Sequence, residues 1–381
     1  MPRLEPFVAL RYDPAVAGPL DALVAPPYDV VSPEEEARLL ARSPYNVVRL
    51  EGSTADHGEG EHRAAAGLLG TWRADGVLVP TGPSLFAYEM TYALGAGMRT
   101  TRGVLAALEI EAWGGSVLPH EEISRKPLGE RLGRLRTVRA NLSPIHIVLP
   151  GSTPRFGAAL ERVAAEPAWA EVVDDAGVRH RVWPISMPAE VRDELEPQRC
   201  MIADGHHRYT TALAYRDEMR AAEGAGPWDH VLAFVGDADG SPVLPFHRVV
   251  VTGDLPEPRD TTASLATTLA VLDDDATRVG VIRPAGGGAA TYGTVDLAAP
   301  PPAVEALERL LPPDEDAVRY VADPVEADAM VRSGAATGAW LLPPTTAERV
   351  RAAVEAGRRL PRKSTYFWPK PRTGFVLRPF D

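Results

Sequence analysis

Apolar and polar positions along the chain fall into periods that predict a mixed set of strands and helices. Phe7-Val8-Ala9-Leu10 reads as a short strand, and the runs Leu85 to Tyr92 and Arg99 to Ile110 read as a hairpin around Leu94-Gly95-Ala96-Gly97. Ile145 to Leu149 and Cys200 to Ala203 are further apolar runs of strand length. Helical spacing appears in Leu128, Leu132, Leu135 and Val138, with Arg131 and Arg134 off that stripe, and again in Tyr209, Ala212, Leu213 and Met219. Ser32 is placed to cap a helix that Pro33 opens and whose first turn Glu34 to Glu36 fill. Pro26-Pro27 forces an extended path that presents Tyr28 and Asp29 rigidly.

Beyond residue 251 the pattern changes. Val279 to Arg283 and Thr291 to Val295 flank a glycine turn, and Pro300-Pro301-Pro302 marks a linker or a helix entry. Thr346-Ala347-Glu348 begins the last clear helix. A tail rich in aromatic and aliphatic residues follows from Lys363: Tyr366, Phe367, Trp368, Phe375, Val376 and Leu377. The pattern predicts a first domain over 1–250 and a second, smaller α/β domain over 251–381, whose tail returns to the first.

Composition changes this picture only at its edges. With 381 residues, 45% hydrophobic and 24% charged, the chain can bury an ordinary core. No apolar run reaches membrane-spanning length, and Met1-Pro2-Arg3-Leu4-Glu5-Pro6 lacks the apolar stretch of a signal peptide. The single cysteine, Cys200, permits no internal disulfide. A cytoplasmic protein without a membrane partner is expected. A net charge of -12 argues against general nucleic-acid binding, which needs clustered Lys and Arg. Self-association into a homo-oligomer is left open.

The richest stretch is Met201-Ile202-Ala203-Asp204-Gly205-His206-His207-Arg208-Tyr209-Thr210, where a strand turns into a helix. A helix start offers unpaired N–H groups and the positive dipole end, so two His and an Arg in its first turn are expected to hold an anion, phosphate above all. The plain structural alternative is that Asp204 caps the helix while the cations lie in solvent. That leaves a cationic triplet working against the dipole.

The same segment resembles the Asp-Gly-His-His-Arg signature of the ParB/sulfiredoxin-like superfamily, which includes free-serine kinases, sulfiredoxins and CTP-binding partition proteins. Over nearly its full length the chain resembles an uncharacterised bacterial family, domain of unknown function 1015. That likeness is carried by Ala25-Pro26-Pro27-Tyr28-Asp29-Val30, Ser43-Pro44-Tyr45-Asn46-Val47-Val48-Arg49-Leu50, Ala140-Asn141-Leu142-Ser143-Pro144-Ile145 and Lys363-Ser364-Thr365-Tyr366-Phe367. Sulfiredoxins place a catalytic Cys within the motif, whereas here Gly205 is followed directly by His206; Cys200 reads as a small buried hydrophobe. The match is closest to the serine-kinase version. It implies a ParB/sulfiredoxin-like core, with nucleotide phosphates held at Asp204 to Arg208.

Phosphoryl transfer also needs a divalent metal and a carboxylate that orients or deprotonates the acceptor. Asp204, Glu121, Glu122 and Asp29 are the candidates. His120-Glu121 and Arg131 resemble a family His-Glu pair and the Arg of a Pro-Lys-x-Asp-Arg run, which appears here as Lys126-Pro127-Leu128-Gly129-Glu130-Arg131. A solvated Glu121/Arg131 pair is the alternative. His247 and Arg248 form another His-Arg pair, at the end of the apolar run Val231 to Val235 and its hairpin partner, and Lys363 and Ser364 combine a cation with a hydroxyl near aromatic anchors. Both pairs are expected at the same site.

The expectation is therefore a nucleotide-dependent phosphotransferase acting on a small hydroxyl-bearing metabolite, serine-like as a first guess. Mg2+ would be bound at Asp204, with ATP, ADP or CTP as the nucleotide. Asp204, Glu121 and His207 are the catalytic candidates. Gly205, His206, His207, Arg208 and Arg131 would bind phosphate; Asp29, His120, His247, Arg248, Lys363 and Ser364 would bind substrate. A CTP- or ATP-binding switch without metabolite chemistry is the non-enzyme alternative. A metal-dependent phosphohydrolase is the other, although adjacent His206 and His207 point about 100° apart on a helix and cannot easily share one metal.

Overall fold

The computed structural model describes the chain apart from residues 1–2, 54–57, 96, 122–127, 150, 152, 238–239, 298–302, 312–313 and 362. Glu122, Lys126 and Pro300-Pro301-Pro302 therefore lie outside the described residues. The chain forms two compact units of mixed α/β structure. The first comprises Met1–Pro119, Ile123–Ser241 and Pro369–Asp381, and the second comprises His120–Glu122 and Pro242–Trp368. Among the described residues, no helix is long and apolar enough to cross a membrane.

In the first unit, nine described strands form one sheet. Its order is Val117–Pro119, Cys200–Asp204, Ile145–Leu149, His230–Asp237, Gly97–Glu109, Leu85–Leu94, Arg179–Ile185 and Ala170–Val173, with Leu4–Glu5 paired to Gly97–Glu109 beside that path. The expected hairpin forms, in register from Phe86 opposite Leu105 to Leu94 opposite Gly97. Val104, Ala106 and Leu108 enter one core with Ile145, Ile147, Val231 and Val235. The motif helix, His206–Glu223, packs Tyr209 and Ala212 into that same core. Phe7 to Leu10 is not one strand: Phe7 makes an isolated bridge to Ser84, and the strand is Leu10–Tyr12, where its partner Leu78–Pro80 pairs.

The second unit holds a six-stranded antiparallel sheet in the order Asp260–Thr262, Ala289–Asp296, Arg278–Gly286, Gly338–Leu341, His247–Val250 and Val318–Val321. His247–Val250 pairs with Val318–Val321 and Gly338–Leu341, so the expected hairpin with the Val231 to Val235 run does not form. Alternation explains the placement: Val249 enters one core with Leu272 and Ile282, while Val250 enters another with Val279 and Trp340. Thr346 caps the helix Ala347–Glu355, its hydroxyl accepting the Arg349 N–H at 3.2 Å.

One glycine is a packing requirement. Gly103 lies opposite Gly236, and a Cβ on it would come within 2.4 Å of the Val235 carbonyl oxygen and 2.5 Å of the Phe234 ring. That ring in turn lies 5.0 Å, centroid to centroid, from His146. Gly103→Ala is expected to lower the unfolding free energy by about 1–3 kcal/mol through overpacking. Gly70→Ala, on the exposed face of the helix Glu59–Ala74 with nothing within 4 Å of the new methyl, is expected to raise it by about 0.5–1 kcal/mol. Urea denaturation of the two variants checks both signs.

Candidate active site

The motif strand Cys200–Asp204 runs antiparallel to Ile145–Leu149, with a register shift between Ile202 and Asp204 that sets Asp204 opposite His146. Such a bulge re-aims the side chain that follows it. Gly205 then takes φ +93°, in the left-handed region, and precedes the 18-residue helix that begins at His206. A Cβ there would lie 2.9 Å from Ile145 Cγ2 and 3.1 Å from Arg208 Nε, so both conformation and space require glycine. Asp204 does not cap this helix. The N-cap is Gly205, which has no side chain to offer, and no acidic residue occupies the first turn. His206 is buried and His207 half-buried.

Both Asp204 oxygens are taken by cations. Arg208 Nη2 donates to Oδ2 and Lys370 Nζ to Oδ1. Arg208 Nη2 also donates to Asp29 Oδ2 at 3.3 Å, Lys370 Nζ lies 3.6 Å from Asp29 Oδ1, and Arg208 Nη1 donates to the Pro144 carbonyl. Two carboxylates and two cations thus close a neutral quartet. Burial pushes the Asp204 carboxyl up, yet Lys370 and Arg208 hold it well below the usual carboxylate range. Burial likewise opposes the charges on Arg208 and Lys370, and the two aspartates outweigh it, raising both. Beneath them, burial pushes the His146 imidazole down to about 4, with Asp204 working the other way. Burial pushes the Cys200 thiol up to about 12, consistent with a small hydrophobe and not a nucleophile.

Tyr28 lies between two arginines, with Arg131 Cζ 3.3 Å and Arg208 Cζ 5.9 Å from its ring centroid. Arg131 is buried, so the solvated Glu121/Arg131 pair does not form. Its guanidinium donates to the Glu51 carbonyl at 3.1 Å and the Ser53 carbonyl at 2.8 Å, and its Nε lies 2.8 Å from the Glu130 carboxylate. Asn46 holds the Tyr28 loop through its amide, which donates to the Ala22 carbonyl at 2.8 Å. Ser143 donates to the Glu51 carboxylate at 2.9 Å. Three of the four family-like stretches, those at 25–30, 43–50 and 140–145, therefore build this one site.

The remaining candidates belong to the second unit. His120 Nε2 and the Thr365 hydroxyl are 2.6 Å apart, and the Lys363 N–H donates to the Glu121 carboxylate at 3.3 Å. Arg248, fully buried, donates to the Phe246 carbonyl at 2.6 Å, the Lys363 carbonyl at 2.9 Å and the Glu308 carboxylate at 2.9 Å. His247 Nδ1 accepts the Leu342 N–H at 3.2 Å, and the Ser364 hydroxyl donates to the Pro361 carbonyl. These contacts fix the 360–365 segment.

Lys370 is the residue that sequence reasoning missed. The tail does bring a cation to Asp204, but it is Lys370 and not Lys363. Thr373 and Ala25 exchange backbone hydrogen bonds at 3.1 and 2.9 Å, and Leu377 and Leu10 do so at 2.9 Å, which fixes the segment carrying it. A signal was available: the arginine-rich chain has only three lysines, Lys126, Lys363 and Lys370, and the last sits between Pro369 and Pro371. An ammonium is a compact point charge that an arginine does not replace.

A family model described as "Protein of unknown function (DUF1015)" matches residues 4–314. The chain belongs to that family. No curated protein matches it. Among solved structures it is similar to a free serine kinase in complex with AMP, at 14% identity and TM-score 0.36, over 69% of this chain and 86% of that one. It is also similar to a conserved hypothetical protein from Pyrococcus furiosus, at 13% identity and TM-score 0.36, over 71% and 93%. SbnI from Staphylococcus aureus, with a C-terminal truncation, is similar at 12% identity and TM-score 0.38, over 72% and 87%.

Removing one member of the quartet leaves a buried charge uncompensated. Lys370→Met is expected to destabilise the protein by about 3–5 kcal/mol. Adding Asp204→Asn should recover part of that, so that the double variant costs less than the sum of the singles in urea denaturation. His146 adds an acid limb. Its folded value lies below its unfolded one, so its contribution is complete above about pH 6.5 and is lost as pH falls toward 4. His146→Phe should shrink the stability difference between pH 7 and pH 5 by about 2 kcal/mol.

Proposed function

We propose that the first unit is a nucleotide-dependent phosphotransferase acting on a small hydroxyl-bearing metabolite. One observation carries this reading: a half-buried, neutral quartet of Asp29, Asp204, Arg208 and Lys370 stands at a left-handed glycine that opens an 18-residue helix. Nucleotide phosphates would rest on the Gly205 to Arg208 turn, where the dipole end of the helix and Arg208 favour negative charge. Their arrival would give Arg208 and Lys370 a new anion to share, releasing the two carboxylates for other work. Asp204, the less exposed at 18% against 30%, would help hold Mg2+. That ion, when bound, neutralises charge building on the transferred group. The residues fit it, because a single cation, Lys370 Nζ, already bridges Asp29 and Asp204. Asp29, more exposed and with an Oδ1 that accepts no hydrogen bond, would orient the acceptor hydroxyl and take its proton.

Calorimetric titration with ATP, ADP and CTP in the presence of Mg2+, paired with a phosphoryl-transfer assay, tests this. Arg208→Ala should weaken binding roughly 10- to 100-fold, the loss of a hydrogen bond to a charged group. Asp29→Asn should leave binding nearly unchanged and cut turnover about 100-fold or more. Nucleotide-dependent dimerisation without transfer or hydrolysis would overturn the enzyme reading in favour of a ligand-controlled switch.

A further inference from the structure

A cleft of about 70 Å3 opens within the first unit; three arginines, Arg131, Arg134 and Arg208, line it against one carboxylate, Glu51, and Thr211 adds a hydroxyl. One ordered water needs about 10–15 Å3 of such space, so the cleft has room for roughly five, or for a ligand of a few heavy atoms. Its lining carries unmet hydrogen-bonding capacity. Arg208 spends Nη1 on Pro144 and Nη2 on the two aspartates, which leaves its Nε–H over, and Nε makes no hydrogen bond. Thr211, 4% exposed, also makes none through its hydroxyl.

The threonine is unusual for its place. A helical threonine ordinarily donates back to the carbonyl four residues earlier, as neighbouring Thr210 does to His206 at 2.9 Å. Thr211 has given that bond up. Arg208 and Thr211 stand three residues apart on one helix and so share a face. Arg134 adds a third such donor: its Nη1 holds the Leu50 carbonyl at 2.6 Å, while its Nε makes no hydrogen bond and has the Glu130 carboxylate only at 3.7 Å. Buried polar groups left unpaired in a native fold call for a partner. Here all three can offer a proton and their residues line one cleft, and what satisfies guanidinium and hydroxyl donors together is a carboxylate.

We propose that this cleft is a binding site for a small carboxylic acid, whose carboxylate accepts from Arg208 Nε and the Thr211 hydroxyl. The ligand is two to four carbons long, set by the volume. The site does not depend on nucleotide binding; it uses the guanidinium N–H that the aspartates leave over.

The test is calorimetric titration of the full chain with acetate, glycolate, lactate, malonate and glycine at constant ionic strength, with inorganic phosphate as an anion control and ATP titrated separately. At least one acid should bind saturably and more tightly than phosphate. Thr211→Val, nearly isosteric, should weaken that acid about 10-fold or more without moving ATP affinity. Val138→Phe, which fills the cleft from its apolar side, should abolish acid binding in a protein whose circular dichroism is unchanged. Acid binding with ATP binding absent would support this site and sink only the nucleotide reading. The proposal is overturned if no acid saturates, if phosphate competes equally, or if Thr211→Val binds the acid as the parent chain does.

Discussion

Taking a charge out of water costs several kcal/mol even after the protein relaxes around it, and the cost is recovered only where opposite charges meet at hydrogen-bonding range. Asp29, Asp204, Arg208 and Lys370 are tolerable where they lie because they lie there together. Each comes from a different feature: a short loop after two prolines, the end of a bulged strand, the first turn of a long helix and a distant tail segment. The first unit is arranged so that these four arrive at one point, and much of its local geometry follows. Gly205 must be left-handed for Arg208 to fold back on Asp204. His146 must stay neutral beneath them, and Phe234 with Gly103 makes the room in which its ring lies.

A second layer of buried charge supports the first. Arg131 and Arg134 donate hydrogen bonds to the carbonyls of Leu50, Glu51 and Ser53, and Arg131 stacks on Tyr28, which precedes Asp29 in the chain. Position therefore passes from the helix Leu128–Val138 through an aromatic ring to Asp29. The arrangement suits a site that must exchange one set of ionic partners for another, since each partner can be replaced by a ligand group of like charge.

Much of this was legible in the sequence where local rules dominate. The Ser32 cap, the hairpin at residues 85–109 and the strand-to-helix turn at Gly205 follow from side-chain capping, period-two alternation and glycine freedom; after the prolines, Tyr28–Val30 forms a 3-10 turn. Illegible was everything that depends on which distant backbone becomes a neighbour. The apolar stripe on the helix Leu128–Val138 left Arg131 and Arg134 off its face, and nothing local showed that the carbonyls of another segment would take them up. His247–Val250 alternates as well for one sheet as for another, and pairing alone decided which. Lys370 stands out as a rare lysine between two prolines, but its stretch has no periodicity to show that its partner is an aspartate 166 positions earlier.

That separation has a consequence for how the protein is made. The first unit is discontinuous, and its last portion, Pro369–Asp381, follows the whole of the second. At translation rates of about 5–20 residues per second, the 161 residues between Arg208 and Lys370 take roughly ten to thirty seconds to appear. Throughout that interval the emerging chain carries two aspartates against one arginine at this point. The sheet can collapse early, but the charge balance at its heart is completed only after the second unit has been made. Until Lys370 has emerged, Asp29 and Asp204 have only Arg208 between them.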